Sequence, residues 1–582
     1  MKILNKFKIA SLALLVLAVL MVACNDEFLN VEPTGSLSES ILANKAGVEG
    51  VLISAYASLN GEFGNRFEGP NHWVTGSIMG GEANKGTDPG DYSTINPIQR
   101  YEINPTNGDI NNLWRGRYEG INRTNSTLNL LAEATDVSAE DAARISGEAR
   151  MLRGHYYFDL KKHFNSIPYF DEKVPAADIP MIANTPDVWG NIEADFQYAF
   201  DNLPETHPEL GRVNKWAAAA YLGKAYLYQG KYSEAKNMFD QVIANGVTTG
   251  GDKYQLIDSY SQIYNAENDN HAEAVFAVQS SNNSGSTQNA NYFDDLNYPY
   301  NTGLDGPGNC CGFFQPSFSL ANAFRTQGGL PLLDGSYNDA DNALVHDYGV
   351  EASDAFTPDE GELDPRLDHS IGRRGIPYLD WIAHPGKAWI RNQTYAGPYS
   401  PKKYIYYRSQ ENSFTDGSSW TRGYAVMNYT IIRFADVLLM AAECEVELGN
   451  LEKAREYVNM VRSRAATPST WVQNGGTPAA NYVINTYDDP WTDQGVARSA
   501  VRMERKLELS GEGHAFFDLV RWSQHTGFDI KGYLDSYINH ETQFLVTKFG
   551  GASFTVGKNE YLPIPQAQLD LQTGVLSQNP GY

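Results

Sequence analysis

The sequence predicts an all-α scaffold of antiparallel helical hairpins that carries one long irregular, loop-rich insertion. Three observations predict it. Apolar residues recur at three- and four-residue spacing over much of the chain, the mark of one-faced helices. One stretch repeats the alternation of small and aromatic residues that a tight helical hairpin needs, and between residues 281 and 429 the helical period disappears. Of 582 residues, 42% are hydrophobic and 20% charged, which excludes collagen, coiled coil and a disordered chain. The formal net charge of −25 repels nucleic acid and anionic membrane surfaces, so polyanion binding is excluded as a main function.

Residues 1–23 read as a signal peptide. Lys2, Lys6 and Lys8 form a positive start, and in Ile9–Ala23 only Ser11 is polar. A bilayer span needs about 20 apolar residues, so a permanent transmembrane helix is the weaker reading. Met21-Val22-Ala23-Cys24 resembles a bacterial lipobox, with Met21 where Leu is more usual. The resemblance implies cleavage before Cys24 and lipidation of that residue; the alternative is an ordinary secretory peptide. Several acyl chains would make the anchoring stable. Asn25-Asp26-Glu27 is similar to the surface-export signal of Bacteroidetes lipoproteins.

The mature chain divides into a helical part (24–280), the insertion (281–429) and a second helical part (430–582) completing the same scaffold. Helical periodicity marks Leu37–Leu59, Leu113–Leu131, Ala139–Phe164 and Trp189–Leu203. Leu222-Gly223, Tyr226, Gly230, Tyr232, Ala235 and Phe239 follow the spacing of a tetratricopeptide hairpin, in which small residues let two helices approach and aromatics fill the groove. A second copy runs from Ala442 through Gly449 and Ala454 to Val458, with Gly449 and Ala454 both offset by 219 from Gly230 and Ala235. Helix returns at Ile431–Arg464 and Gln494–Trp522, and the tail from Tyr561 is extended. Within the insertion, Pro299, Gly306-Pro307-Gly308, Pro316, Asp364-Pro365, Pro385-Gly386 and Pro398 punctuate an Asn-, Gly-, Ser- and Tyr-rich stretch. Structureless segments of that length are uncommon unless functional, so the site is sought there and in the similar stretch Gly61–Gly108.

Five passages carry a family resemblance. They are Cys24-Asn25-Asp26-Glu27-Phe28-Leu29, Glu148–Leu160 (EARMLRGHYYFDL), Arg433–Glu443 (RFADVLLMAAE), Glu504–Leu509 (ERKLEL) with Glu512-Gly513, Phe517-Asp518-Leu519 and Arg521-Trp522, and Leu562-Pro563-Ile564-Pro565 with Gln578–Tyr582. In order and spacing they span the mature chain, which resembles the SusD/RagB-like outer-membrane glycan-binding lipoproteins of Bacteroidetes. The resemblance implies a tetratricopeptide-containing helical core with a variable loop face, and a cell-surface, lipid-anchored, non-catalytic protein on a SusC-like TonB-dependent transporter, helping to import oligosaccharide. One departure stands out. Where many relatives carry Gly-Trp-Gly, this chain reads Asn309-Cys310-Cys311-Gly312, which puts an inherited binding role of that position in doubt.

Sugars offer C–H faces ringed by hydroxyls, so binding them takes flat aromatic platforms with planar polar groups at the rim. The candidates in the insertion are Tyr292, Tyr298, Tyr300, Asn301, Trp381, Trp389, Arg391, Asn392, Tyr395 and Trp420; in the earlier loop they are Trp73, Asp91 and Tyr92, beside Asp88. Any single loop aromatic could instead pin its loop to the core. Trp114, Trp189, Trp216 and Trp522 lie on periodic helices and read as core. With Cys24 lipidated, three cysteines remain, no disulfide framework. Cys444 reads as a buried small hydrophobe, and Cys310 and Cys311 are either two thiols or an eight-membered vicinal disulfide ring. Arg433 with Asp436, and Glu504 with Arg505, read as structural ion pairs.

The sequence carries no G-x-S-x-G elbow, H-E-x-x-H helix, Walker loop or dinucleotide-binding glycine motif, so no catalytic residue and no cofactor is assigned. Oxygen-rich runs at Asn338–Asn342 and near Glu267 and Asp269 suit calcium weakly, since neither has the full ligand spacing with its closing Glu. Two other readings stand beside glycan capture. The same importer could carry a peptide or glycopeptide, favoured by an acid-lined groove without an exposed Trp; a surface hydrolase ranks last.

Overall fold

The computed structural model describes residues 39–61, 66–282, 294–308, 310–417 and 424–582. Residues 1–23, Cys24, Tyr292 and Trp420 lie outside them. The long helices are α1 (Lys45–Ala57), α2 (Gly108–Glu133), α3 (Ala139–Phe164), α4 (Trp189–Asn202), α5 (Lys215–Leu227) and α6 (Tyr232–Asn245), then α7 (Phe434–Glu447), α8 (Leu451–Ala465), α9 (Gln494–Glu508), α10 (Ala515–Thr526) and α11 (Ile530–Thr542). Their starts are chemically marked. Asn107, Ser138, Asn214 and Asp493 each accept a backbone N–H of the first turn of α2, α3, α5 and α9, satisfying donors that the helix leaves open.

Consecutive helices pack as neighbours from α2 to α8, with α6 lying on α7 across the whole insertion and α9 closing against α7 and α8. The two hairpins α5–α6 and α7–α8 are the expected repeats. Their turns fall at Gly230 and Gly449, with φ of +69° and +82°, a left-handed backbone that glycine adopts without steric cost. Gly223 of α5 faces Phe239 of α6 so closely that a Cβ would stand 2.7 Å from the ring. The helical stretch expected over Gln494–Trp522 is divided in two, because Gly511 and Gly513 take φ of +75° and +76° and turn the chain between α9 and α10.

Four strands organise the loops: β1 (Ala83–Gly86), β2 (Ala274–Val278), β3 (Phe313–Pro316) and β4 (Tyr429–Arg433). β2 and β4 pair antiparallel, Tyr429 opposite Val278, so the backbone entering the insertion lies against the backbone leaving it. β1 and β3 pair antiparallel, Ala83 opposite Pro316 and Gly86 opposite Phe313. That second pairing joins the loop-rich stretch before α2 to the insertion and makes one face of two distant segments.

A charged layer ties this face to the helices. On α9, Glu504 and Glu508 recur one turn apart, and Glu512 follows in the turn. Arg366 of the insertion donates to Glu504 (2.6 Å) and Glu508 (2.9 Å), while Arg462 of α8 donates to Glu504 (2.9 Å). Arg433 reaches Glu508 (2.6 Å), Glu512 (2.8 Å) and Glu273 (2.7 Å), and Arg464 also holds Glu508. Asp436 pairs with Arg505 at 2.8 Å and Lys224 at 3.3 Å. These residues are ion pairs as expected, but the partners differ: Arg433 and Glu504 bridge elements far apart in sequence. In the same manner Arg153 of α3 forks onto Asp195 of α4, both bonds 2.7 Å.

Candidate functional site

The loop face contains its own small core. Tyr298, Trp381 and Trp389 pack with Tyr378, Ile405, Tyr406 and Ala425, and the indole N–H of Trp381 donates to the Tyr406 carbonyl at 3.2 Å. Trp73 packs edge-on against Phe313 and Phe314. The hydroxyl of Tyr395 donates to Asn96 at 2.9 Å, and the Lys548 ammonium lies 4.0 Å above its ring. Exposures of 1% (Trp73), 2% (Tyr298), 8% (Trp381), 3% (Trp389) and 5% (Tyr395) place these five rings beneath the surface, whereas the sequence reading offers them as ligand platforms. The physical reason is area. An insertion poor in helix and strand must still bury apolar surface, and its widest rings bury the most.

What remains at the surface converges on a ledge. Lys85, at the end of β1, donates to the carbonyls of Asp88 (2.9 Å) and Asp91 (2.5 Å) and winds residues 87–91 into a loop; burial pushes its ammonium down to about 8. The Asp88 carboxylate accepts the N–H groups of Gly90 and Asp91, both at 2.9 Å. These backbone donors, with Arg391, hold it below the usual carboxylate range. Arg391 comes from the far side of the insertion, its guanidinium 2.7 Å from Asp88, 2.5 Å from Asp91 and 2.9 Å from the Thr87 hydroxyl. The same guanidinium lies 5.5 Å from the ring centre of half-buried Tyr300.

Each component is aimed by the small core beneath. The Tyr300 N–H donates to the Trp389 carbonyl at 2.8 Å, and Gly312 donates to Tyr298 at 2.9 Å while accepting from the Thr87 N–H at 2.5 Å. Cys310, half-buried, and Cys311, buried, sit directly before Gly312, their sulfurs within bonding distance of each other. Asn301 is exposed beside Tyr300, and Leu304 at the tip of that loop is 80% exposed. Asn392 stays close to the surface and accepts from the Thr394 hydroxyl at 2.8 Å. Tyr92, half-buried, spends its hydroxyl on Asp109 at 3.0 Å.

The structure therefore brings together Asp91, Tyr300, Asn301 and Arg391 with Asp88 and the cysteine pair. Lys85 and Thr87 were missed by sequence reasoning; a lysine ending a strand before an Asp-rich turn is the signal that could have found them. The ledge can lay a ring and a guanidinium plane against an apolar face, accept hydroxyl protons on two carboxylates and donate from Arg391. At the sites weighed for calcium, the side-chain oxygens of Asn338 and Asn342 accept from Asn322 (3.1 Å) and Gln327 (3.4 Å), and Asp269 accepts the Asn428 N–H at 3.1 Å. Among the described residues no group of three or more His, Cys, Asp or Glu is placed to hold a metal, and no helix is long and apolar enough to cross a membrane.

Comparison with known proteins agrees with this architecture. The profile of the SusD family matches residues 272–582, one described as starch-binding associating with outer membrane matches 27–227, and a tetratricopeptide-repeat profile matches 219–245, over α5 and α6. SusD-like protein P2 of Formosa agariphila is 25% identical over 586 residues, covering 99% of this chain and 100% of its own. A SusD superfamily protein from Bacteroides vulgatus superposes with a TM-score of 0.67 at 22% identity, over 93% of this chain and 99% of its own. A laminarin binding SusD-like protein does so with a TM-score of 0.63 at 24% identity, over 93% and 100%. With more than half its length under the family profile and the helical scaffold to match, the chain belongs to the SusD family.

Proposed function

We propose that this protein is a non-catalytic carbohydrate-binding lipoprotein, anchored through Cys24 on the outer face of the outer membrane, which captures oligosaccharide and passes it to a SusC-like TonB-dependent transporter. The observation that carries the reading is the convergence of Tyr300, Arg391, Asp88 and Asp91 from two distant segments onto one accessible ledge. The relative named as laminarin binding and the outer-membrane association in the matched profile support it. Calorimetry with the soluble form lacking residues 1–24, against a panel of neutral and acidic glycans, tests the assignment. Binding that Arg391→Ala weakens is expected; silence across the panel overturns it.

One observation favours a second reading, capture of a peptide or glycopeptide by the same kind of importer. The described ledge has no exposed Trp and lays two carboxylates at its surface, with the Lys85 ammonium buried beneath them, an arrangement that leaves the acids to face a basic chain. Basic peptides belong in the same titration, and heat with them alone would move the assignment to this cargo.

A further inference from the structure

A second feature shares no residue with the ledge. A cavity of about 350 Å³ is enclosed by α9, α10, α11 and the loop at residues 333–338. Its mouth is formed by exposed Asp334, Gly335, Gly532 and Ser536, and its floor by buried Glu82, Tyr337 and Tyr537. The volume falls within the range of about 300–1,000 Å³ usual for small-molecule sites. One wall is aromatic: Trp522 meets Phe528 edge to face at 5.9 Å, and Phe528 meets Tyr533 at 5.7 Å.

The charges on this wall are unbalanced. α9 carries four cations. Arg498 is paired with Glu447 (2.6 Å), and Arg505 with Asp436 and Asp518 (both 2.8 Å). Arg502 and Lys506, one turn apart and both lining the cavity, have no carboxylate within ion-pair distance among the described residues. Lys506 donates only to the hydroxyls of Tyr533 (2.9 Å) and Tyr337 (3.3 Å). Arg502 donates to Thr526 at 2.6 Å, lies over Trp522 and Phe528, and keeps a buried Nε–H without a partner.

The acids nearby do not neutralise the pair. Asp518 is held by Arg505 and Arg521, while Glu443 and Glu447, which attract Arg502 from a distance, are paired with Arg521 and Arg498. Asp334 is turned onto its own loop through Ser336, and burial pushes the Glu82 carboxyl up to about 7, leaving it only partly ionised at neutral pH. Two cations thus remain uncompensated in one cavity of a chain whose net charge is −25. Both are half-buried, so each charge is partly desolvated without a counter-ion, and an anionic ligand lessens that penalty.

We propose that this cavity is a second ligand site, for a compact hydroxylated carboxylate of one sugar ring's size, whose carboxylate meets Lys506 and Arg502 while its ring lies against Trp522, Phe528 and Tyr533. Ser499 and Ser536 belong to the same lining and bring hydroxyls suited to the ligand's own.

Sodium glucuronate is the probe, with glucose and sodium sulfate as comparators, read by calorimetry. The proposal expects saturable glucuronate binding, weaker by about tenfold or more for glucose and in Arg502→Gln, the loss of one charge-assisted contact. Ser536→Trp, at the exposed mouth, blocks entry without touching either cation and abolishes the signal, while ledge binding persists in both variants. Glucose matching glucuronate, sulfate displacing it at equal concentration, or binding unchanged in R502Q and S536W each overturns the proposal. So does the absence of saturation.

Discussion

Arg391 and Trp389 stand two positions apart, and their environments assign them opposite consequences. Arg391 lies at the surface with its charge shared between two carboxylates, so Arg391→Ala lowers ligand affinity about tenfold and leaves the melting temperature nearly unchanged. Trp389 is 3% exposed; Trp389→Ala leaves a void and destabilises by about 3–5 kcal/mol, visible in denaturant titration. Glu82 gives a pH signature. Its folded-state value of about 7, against 4.5 for a free glutamate, means the fold holds a proton that the unfolded chain releases. Its contribution to stability is therefore lost as pH rises from about 4.5 to 7 and is level beyond. Glu82→Gln removes that slope, so relative to wild type the variant is more stable at about pH 8 than at about pH 4.5, by at most about 3 kcal/mol. Equal differences at the two pH values would contradict the assignment.

At the scale of elements, α9 is the keystone, because Glu508 accepts from arginines of the insertion, β4 and α8 together. Glu508→Gln strips charge from one side of a buried network and is expected to destabilise by about 3–5 kcal/mol, with the loop face loosening first in hydrogen exchange. The helices are legible in the sequence because their information is local. Ala139–Phe164 is bounded by a capping Ser138 and a stripe of apolar residues, and the observed limits of α3 are the same. The repeat turns are legible because glycine is required where φ is positive. The ledge is legible only in part. Asp91, Arg391, Tyr300 and Asn301 carry the right chemistry, but so do Trp381, Trp389 and Tyr395. Whether a ring is floor or surface depends on contacts such as Trp381 with Tyr406, which no local pattern encodes. The pairing of β1 with β3, which gathers the ledge, joins residues more than two hundred positions apart and leaves no local trace.

At the scale of the molecule, buried histidines shape the response to acid alongside salt-bridged carboxylates such as Glu508 and Glu512, which are held below the ordinary range by their arginines. His155, His163 and His384 are pushed down to about 3, and His369 and His514 to about 4, all chiefly by burial. A histidine held neutral in the fold contributes stability that is present above its free value of 6.5 and is lost as pH falls toward the folded value. Glu82, Asp269 and Asp294, raised to about 7, act in the opposite sense over much of the same range. With His72, His271 and His346 also lowered by burial and Asp195 and Asp347 also raised, eight histidines stand against five acids, so the melting temperature should fall between about pH 6 and pH 3 with net proton uptake on unfolding, which calorimetry across that range measures. The antiparallel closure of the insertion by β2 and β4, and its stitching to the earlier loop by β1 and β3, have a bearing on transplantation. Exchanging residues 281–429 for those of another family member would keep both attachment points of the swapped block. It would nonetheless leave the edge of β1 facing a foreign partner, so a chimera meant to acquire new cargo must take residues 61–108 along with it.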